Sequence, residues 1–441
     1  MNISVRSSGS APVAISGLGG LAQGGVPLWL PLPFLLTGAL GAALFGALLP
    51  VVAPQALLAP DFPHVLAVVH IATLGWLTMT IMGASLQLAP VILVSPLRAA
   101  RFDRAQYPLY LAGVTLLVLG FWTALTPLLI SGGILVVVAV AHYAVILGTT
   151  LARATTRPLS ARYLAASVVY LCVVVSLGLT AALNLQLGFL GAAVDHLLLA
   201  HITLGVVGWL TTTLIGVSYT LVRMFALVHG HSDTLGRRIF LLLNGGILGL
   251  ATGFAFAWVW LQALGGLSLI AAVWLFAYDY NRMLRMRKRR LLDITQRHGI
   301  AAVGYLVVIV PVGAGAALLG WGSEPLLVAL GLAALVGWLG QSIIGYMYKI
   351  VPFLVWQSRY APLVGRARVP LMRDLVRQRA ATLSFWLINI ALPATLLCAA
   401  LDWPLATRVA AVVLAAGLIL AAANIIGIVA RRAPVTTAAA A

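Results

Sequence analysis

The sequence predicts an all-α polytopic membrane protein of about twelve transmembrane helices, set as three four-helix arcs around a pseudo-threefold axis. Three observations predict it. Of 441 residues, 62% are hydrophobic and only 8% charged, with a mean hydropathy of +1.07, whereas soluble domains carry about 25% charged residues. The apolar residues fall into stretches long enough to cross a hydrocarbon core, which takes about 20 residues of helix. One Gly-Trp-Leu motif recurs three times, as GWLTMTIMG from Gly75, GWLTTTLIG from Gly208 and GWLGQSIIG from Gly337. Nine acidic residues cannot cover a core of this size with a polar shell, so a soluble enzyme is excluded. The net charge of +18 sits in short loops between spans, which is an orientation signal and a contact to anionic lipid and gives no support to nucleic-acid binding.

Taken in order, residues 1–26 are a Gly- and Ser-rich tail carrying Arg6 and lacking the apolar core and cleavage site of a signal peptide. Residues 27–430 form one transmembrane domain, with repeats over 27–158, 159–292 and 293–430, and residues 431–441 are a C-terminal tail. The first repeat holds spans near 28–49, 62–94, 107–130 and 132–152, and the second holds 161–184, 193–226, 237–261 and 263–281. The third holds 299–320, 324–356, 380–401 and 404–430. The second, sixth and tenth spans exceed the hydrocarbon thickness and are expected to tilt or protrude. Basic residues follow the even-numbered spans: Arg98, Arg101 and Arg104, then Arg153, Arg157 and Arg162, then Arg223, Arg237 and Arg238, then the run Arg282 to Arg297. Lys349 and the arginines from Arg359 to Arg379 follow span ten, and Arg431 and Arg432 follow span twelve. Of the 27 Lys and Arg, only Arg408 falls on the other side. This places both termini in the cytoplasm and the chain in the inner (plasma) membrane, with the lipid bilayer as its main partner. The acidic residues are expected near loops, and Cys172 and Cys398, lying in separate apolar stretches, read as packing residues.

The motif copies begin 133 and 129 residues apart, the spacing of a four-helix unit present three times. In each copy a Thr or Ser lies four residues after the Trp and a Gly seven after it: Gly75, Trp76, Thr80 and Gly83; Gly208, Trp209, Thr213 and Gly216; Gly337, Trp338, Ser342 and Gly345. Glycines let helices approach closely and hydroxyls find partners in a medium without water, so this stripe reads as a helix-packing motif. Tyr219 and Tyr348, three residues past the last glycine, read as packing too.

Ionisable residues inside spans are costly and mark function. His64 and His70 lie in span two, His196 and His201 in span six, all toward the end opposite the basic loops. His70 precedes its Trp by six residues and His201 by eight, so at about 1.5 Å per residue the two lie within a turn of the same depth. Two imidazoles on different helices clamp a haem through its iron, and Gly75 and Gly205 leave room beside them. His64 and His196, nearer the entry ends, read as interfacial residues and as secondary candidates for holding a metal. His142 reads as a bundle hydrogen-bonder, and His229, His231 and His298, among basic residues, read as solvated.

Twelve spans in three arcs, with histidines in spans two and six shortly before the repeated Gly-Trp motif, resemble subunit I of the haem-copper oxidases and their nitric oxide reductase relatives. The likeness covers the architecture of the whole chain and, at residue level, these inner helices. It implies that His70 is an axial ligand of a b-type haem and that His201, or His196, stands where that family has a copper ligand. Span seven, RRIFLLLNGGILGLATGFAFAW, lacks that family's paired copper-ligand histidines, and span ten lacks its haem ligands. A complete binuclear haem-copper centre is therefore not expected. The expectation is one haem b, with copper as a second candidate, held by His70 and His201 for electron transfer or the handling of a diatomic gas, in company with other respiratory or redox subunits. The rival readings are a channel, transporter or copper-handling protein on the same scaffold, and a structural subunit whose redox sites have decayed.

Overall fold

A computed structural model describes residues 26–93, 95, 97, 104–288, 291–320, 322–432 and 436–437. The expected tail with Arg6, together with Arg98 and Arg101 of the first basic loop, lies outside the described residues, apart from Val26. Among them are twelve helices of 18 residues or more: α1 Pro31–Leu58, α2 Pro63–Leu93, α3 Gln106–Thr123, α4 Thr126–Ala152, α5 Leu159–Leu187 and α6 Ala193–Ala226. They continue as α7 Thr234–Ala255, α8 Val259–Arg285, α9 Ile294–Leu319, α10 Glu324–Arg359, α11 Gln378–Ala400 and α12 Pro404–Ala430. All but α3 are long and apolar enough to cross a membrane.

Local chemistry sets the ends. Proline opens α1, α2, α4, α10 and α12, where its missing N–H costs nothing. Asp293 and Gln296 form a reciprocal capping box at the start of α9. The turn joining the third and fourth helix is the same in all three copies. Ala124, Ala257 and Asp402 take left-handed backbone at φ 55°, 55° and 53°. The next residue's N–H bonds the carbonyl five back: Leu125 to Gly120, Trp258 to Gly253 and Trp403 to Cys398, at 3.0, 2.8 and 2.9 Å. Glycine takes this conformation at no steric cost; here side-chain-bearing residues hold it three times over, which fixes a reversal too tight for hydropathy to reveal.

Helices adjacent in sequence pack side by side and α1 lies along α12, closing the ring. The long helices α2, α6 and α10 are innermost: 67%, 61% and 72% of their spanning windows are buried, against 22–56% for the other eight spans. Each opens into a π-helical stretch around the motif, Ile71–Thr78, Thr203–Thr211 and Ala333–Gly340. The wider turns shift the face that carries each Trp. At the far end of the chain Thr436–Thr437 pairs antiparallel with Ala367–Arg368, tying the C-terminal residues to the loop after α10.

Candidate functional site

The packing motif joins elements within each copy and between copies. A side chain on the last glycine would strike the first helix of its own repeat: Gly83 meets Phe34, Gly216 meets Tyr163 and Gly345 meets His298, each closer than 3.0 Å to a hypothetical Cβ. Seven residues along those first helices the contact recurs: a side chain on Gly41 would strike the Gly75 carbonyl, and side chains on Gly208 and Gly337 would press on Tyr170 and Tyr305. The hydroxyls four residues after the Trp diverge. Thr213 donates to the Trp209 carbonyl at 2.7 Å, Thr80 is buried against Gly38 without a hydrogen-bond partner, and Ser342 is buried. The bonds between copies come instead from a position the motif reading passed over, two residues after the Trp. The indole of Trp209 donates to Thr78 Oγ1 and that of Trp338 to Thr211 Oγ1, both at 2.9 Å. The third member of this cycle is Trp76, which lies against Gly340.

On the side of this tryptophan ring away from the basic loops, α2 and α6 position the two candidate ligands. His70 Nδ1 lies 2.7 Å from the Leu66 carbonyl one turn back, and its ring stacks on Phe121 of α3 at 4.9 Å. His201 Nδ1 lies 3.0 Å from the Val174 carbonyl of α5, with its ring against Gly178. A carbonyl can only accept, so in both rings Nδ1 carries the proton and Nε2 keeps its lone pair, the orientation of a histidine ready to ligate. Because His70 leans on α3 and His201 on α5, both rings belong to the sector that α3, α4 and α5 enclose between α2 and α6. Beside them a side chain at Gly75 would touch nothing nearer than 3.9 Å, and one at Gly205 nothing nearer than 3.4 Å.

The secondary pair is not drawn into this site by any contact. His64 sits in an aromatic clasp, 4.7 Å edge-on to Trp122 and 5.3 Å from Phe62, with Nδ1 buried and unpartnered. His196 is half-buried in the first turn of α6. Among the described residues, no three His, Cys, Asp or Glu come together in a group able to hold a metal ion. A bare ion between His70 and His201 would thus have two protein donors, whereas haem brings four nitrogens of its own and asks the protein for no more than two.

The basic end of the bundle corrects three expectations. His231 and His298 are not solvated. The His231 side chain is fully buried against Asp279 at 2.9 Å, and His298 is 0% exposed, with Nδ1 3.1 Å from Gln341 Oε1. His229, two residues from His231, is exposed as expected. Nor do all acids stay at loops, since Asp279 is 0% exposed within α8, where Tyr219 donates to its Oδ2 at 3.1 Å and so does more than pack. The tautomer of His298 follows from its network. Asn389 Nδ2 donates to the Phe385 carbonyl and to Gln341 Oε1, so Oε1 is an acceptor and His298 must donate to it from Nδ1. Sequence neighbours misled the reading: Arg297 is exposed and His298 buried because successive helical residues point about 100° apart. No family model and no curated protein matches the chain.

Proposed function

We propose that the chain is an integral membrane cytochrome that holds one haem b between His70 and His201, on the side of the membrane opposite the basic loops. The observation that carries the reading is the pairing of two half-buried imidazoles from different helices, each fixed by a backbone carbonyl at Nδ1 with Nε2 left for a ligand. Haem would supply a one-electron iron couple. The protein's part would be to offer two neutral nitrogens, to hold their planes through the Leu66 and Val174 carbonyls, and to leave space at Gly75. With His70 and His201 both holding it, the haem would supply electron transfer rather than the handling of a diatomic gas. The charge asymmetry of the loops supports placement in the inner (plasma) membrane with both termini cytoplasmic, and an electron carrier of this kind implies other respiratory or redox subunits as partners.

An absorption spectrum of the detergent-solubilised chain, oxidised and reduced, tests this. A Soret band that vanishes in both His70→Ala and His201→Ala is expected. A colourless protein with no haem by the pyridine assay overturns the proposal, and one equivalent of copper in that colourless protein turns it into the copper-handling reading on the same scaffold.

A further inference from the structure

The three inner helices, α2, α6 and α10, enclose a cavity on the basic-loop side of the tryptophan ring. The repeat itself builds it, since the residues five, eight and twelve positions after each Trp line it in all three copies. The middle layer is Ala84, Val217 and Tyr346, each partly exposed although the residues before and after it in the chain are buried. The layers on either side are all Ile or Leu, so the space opens where one copy places its smallest side chain, at Ala84. Tyr346 cannot swing across to fill it. Ser218 donates to the Leu214 carbonyl at 2.6 Å, so its oxygen accepts from the Tyr346 hydroxyl at 2.7 Å and the phenol is held between α10 and α6.

Size and polarity decide what the cavity can take. Its volume is about 40 Å³. One water needs about 10–15 Å³ and two to four polar partners, whereas benzene enters an apolar cavity of about 150 Å³. Here the room is present and the partners are not. The Tyr346 hydroxyl is committed to Ser218, Thr213 donates to the Trp209 carbonyl of its own helix, and Thr80 Oγ1 lies against Gly38 of α1. The surface shown to the cavity is apolar. An acyl chain or an aromatic ring is too large for it, and an ion would find no donor or counter-charge. A smaller void of about 10 Å³ lies behind Trp76 against α1 and α12, and Thr80, Ile343 and Met347 line both. Met347, unbranched and adaptable, thus stands between the cavity and the joint that closes the ring.

We propose that this cavity is a binding site for an uncharged diatomic gas of the dioxygen class. Such a molecule fits the volume, asks for no hydrogen bond and is held by dispersion contacts with the lining. No bond breaks and no electron moves. Along α2 and α6 the cavity lies past the Trp motif, and His70 and His201 lie before it. The bound gas is therefore not a ligand of the proposed haem, and the site stands or falls apart from that reading.

The test follows isotope-labelled methionine methyl resonances of the full-length, detergent-solubilised chain under dioxygen pressure, with argon as the reference. Dioxygen is paramagnetic and broadens the signals of nuclei it approaches. Met347 lines the cavity and is 2% exposed, whereas Met283 of α8 is 0% exposed and does not line it, so both are sheltered from gas dissolved in the detergent. Met347 is expected to broaden severalfold more than Met283. Ala84→Val, which places two further methyl groups in the cavity, is expected to bring Met347 down to the level of Met283 and to melt no lower than the parent. Val217→Ile should remove part of the excess. Equal broadening of the two methionines in the parent overturns the proposal, and is the result expected if water or a detergent tail fills the space. An excess that survives Ala84→Val overturns it too. So does failure of both variants to fold, because the space is then not free.

Discussion

The joint between the third and first copies differs from the other two. Trp209 and Trp338 each reach into the preceding copy, donate to Thr78 and Thr211, and meet Tyr143 and Phe276 edge-on at 6.3 and 6.2 Å. Trp76 reaches the third copy at Gly340, with Phe45 of its own copy tilted against it at 5.9 Å. Two joints therefore combine shape with a buried hydrogen bond, whereas among the described residues the one that closes the ring shows the packing of Trp76 on Gly340 and no such bond. A buried indole N–H needs an acceptor, which makes the first two joints selective for Thr. The third needs an absence of side chain, which makes it selective for Gly.

The largest effect should come from filling that absence. A Cβ on Gly340 would lie 2.5 Å from Trp76 and 2.9 Å from the Leu335 carbonyl, so Gly340→Leu forces a buried, rigid ring and backbone to move. Overpacking of this kind costs about 1–3 kcal/mol and at times more; here the variant should elute as aggregate, or melt well below the parent, in fluorescence-detected size exclusion. Adding Trp76→Leu to Gly340→Leu should recover part of the loss. No recovery would mean that the closing joint does not depend on this contact.

The hydrogen-bonded joints should break less severely. Thr78→Val and Thr211→Val each keep the volume of the side chain and leave an indole N–H buried without an acceptor, a loss of about 1–3 kcal/mol. Trp209→Phe and Trp338→Phe should likewise cost more than Trp76→Phe, because Trp76 has no Thr opposite it at position 340. Equal melting temperatures for the three Trp→Phe variants would erase the distinction between the joints.

Much of this architecture was legible in the sequence because a bilayer imposes length and a triplicated motif imposes register. Most spans were placed within a few residues, but the first, read as 28–49, continues to Leu58 because Pro50 and Pro54 are accommodated inside the helix. The third span, read as 107–130, breaks after Thr123 because Ala124 and Leu125 reverse the chain with apolar side chains. The glycines of the motif could be read because their spacing is invariant. Thr78 and Thr211 could not, since the third copy has Gly340 there and identity across all three copies was the signal being followed. His70 and His201 were legible as rare ionisable residues at matched depth. Asp279, His231 and His298 were not, because the density of charge along a chain does not report which face of a helix turns inward.

The smallest predicted difference separates hydroxyls at one repeat position. Thr80 and Thr213 occupy the same place in the motif, yet Thr213 bonds the Trp209 carbonyl while Thr80 Oγ1 is buried with no partner. A hydroxyl that is dehydrated and unbonded gains nothing from its polarity, so Thr80→Val should leave stability unchanged or raise it slightly. Thr213→Val removes a bond within one helix, worth no more than about 0.6 kcal/mol, the value of a side-chain bond between membrane helices. Unfolding of both variants in mixed micelles should place Thr213→Val below the parent and Thr80→Val at or above it. The reverse order would show that Thr80 has a partner the packing against Gly38 does not reveal, and that copies one and two are more alike at this position than their hydrogen bonds indicate.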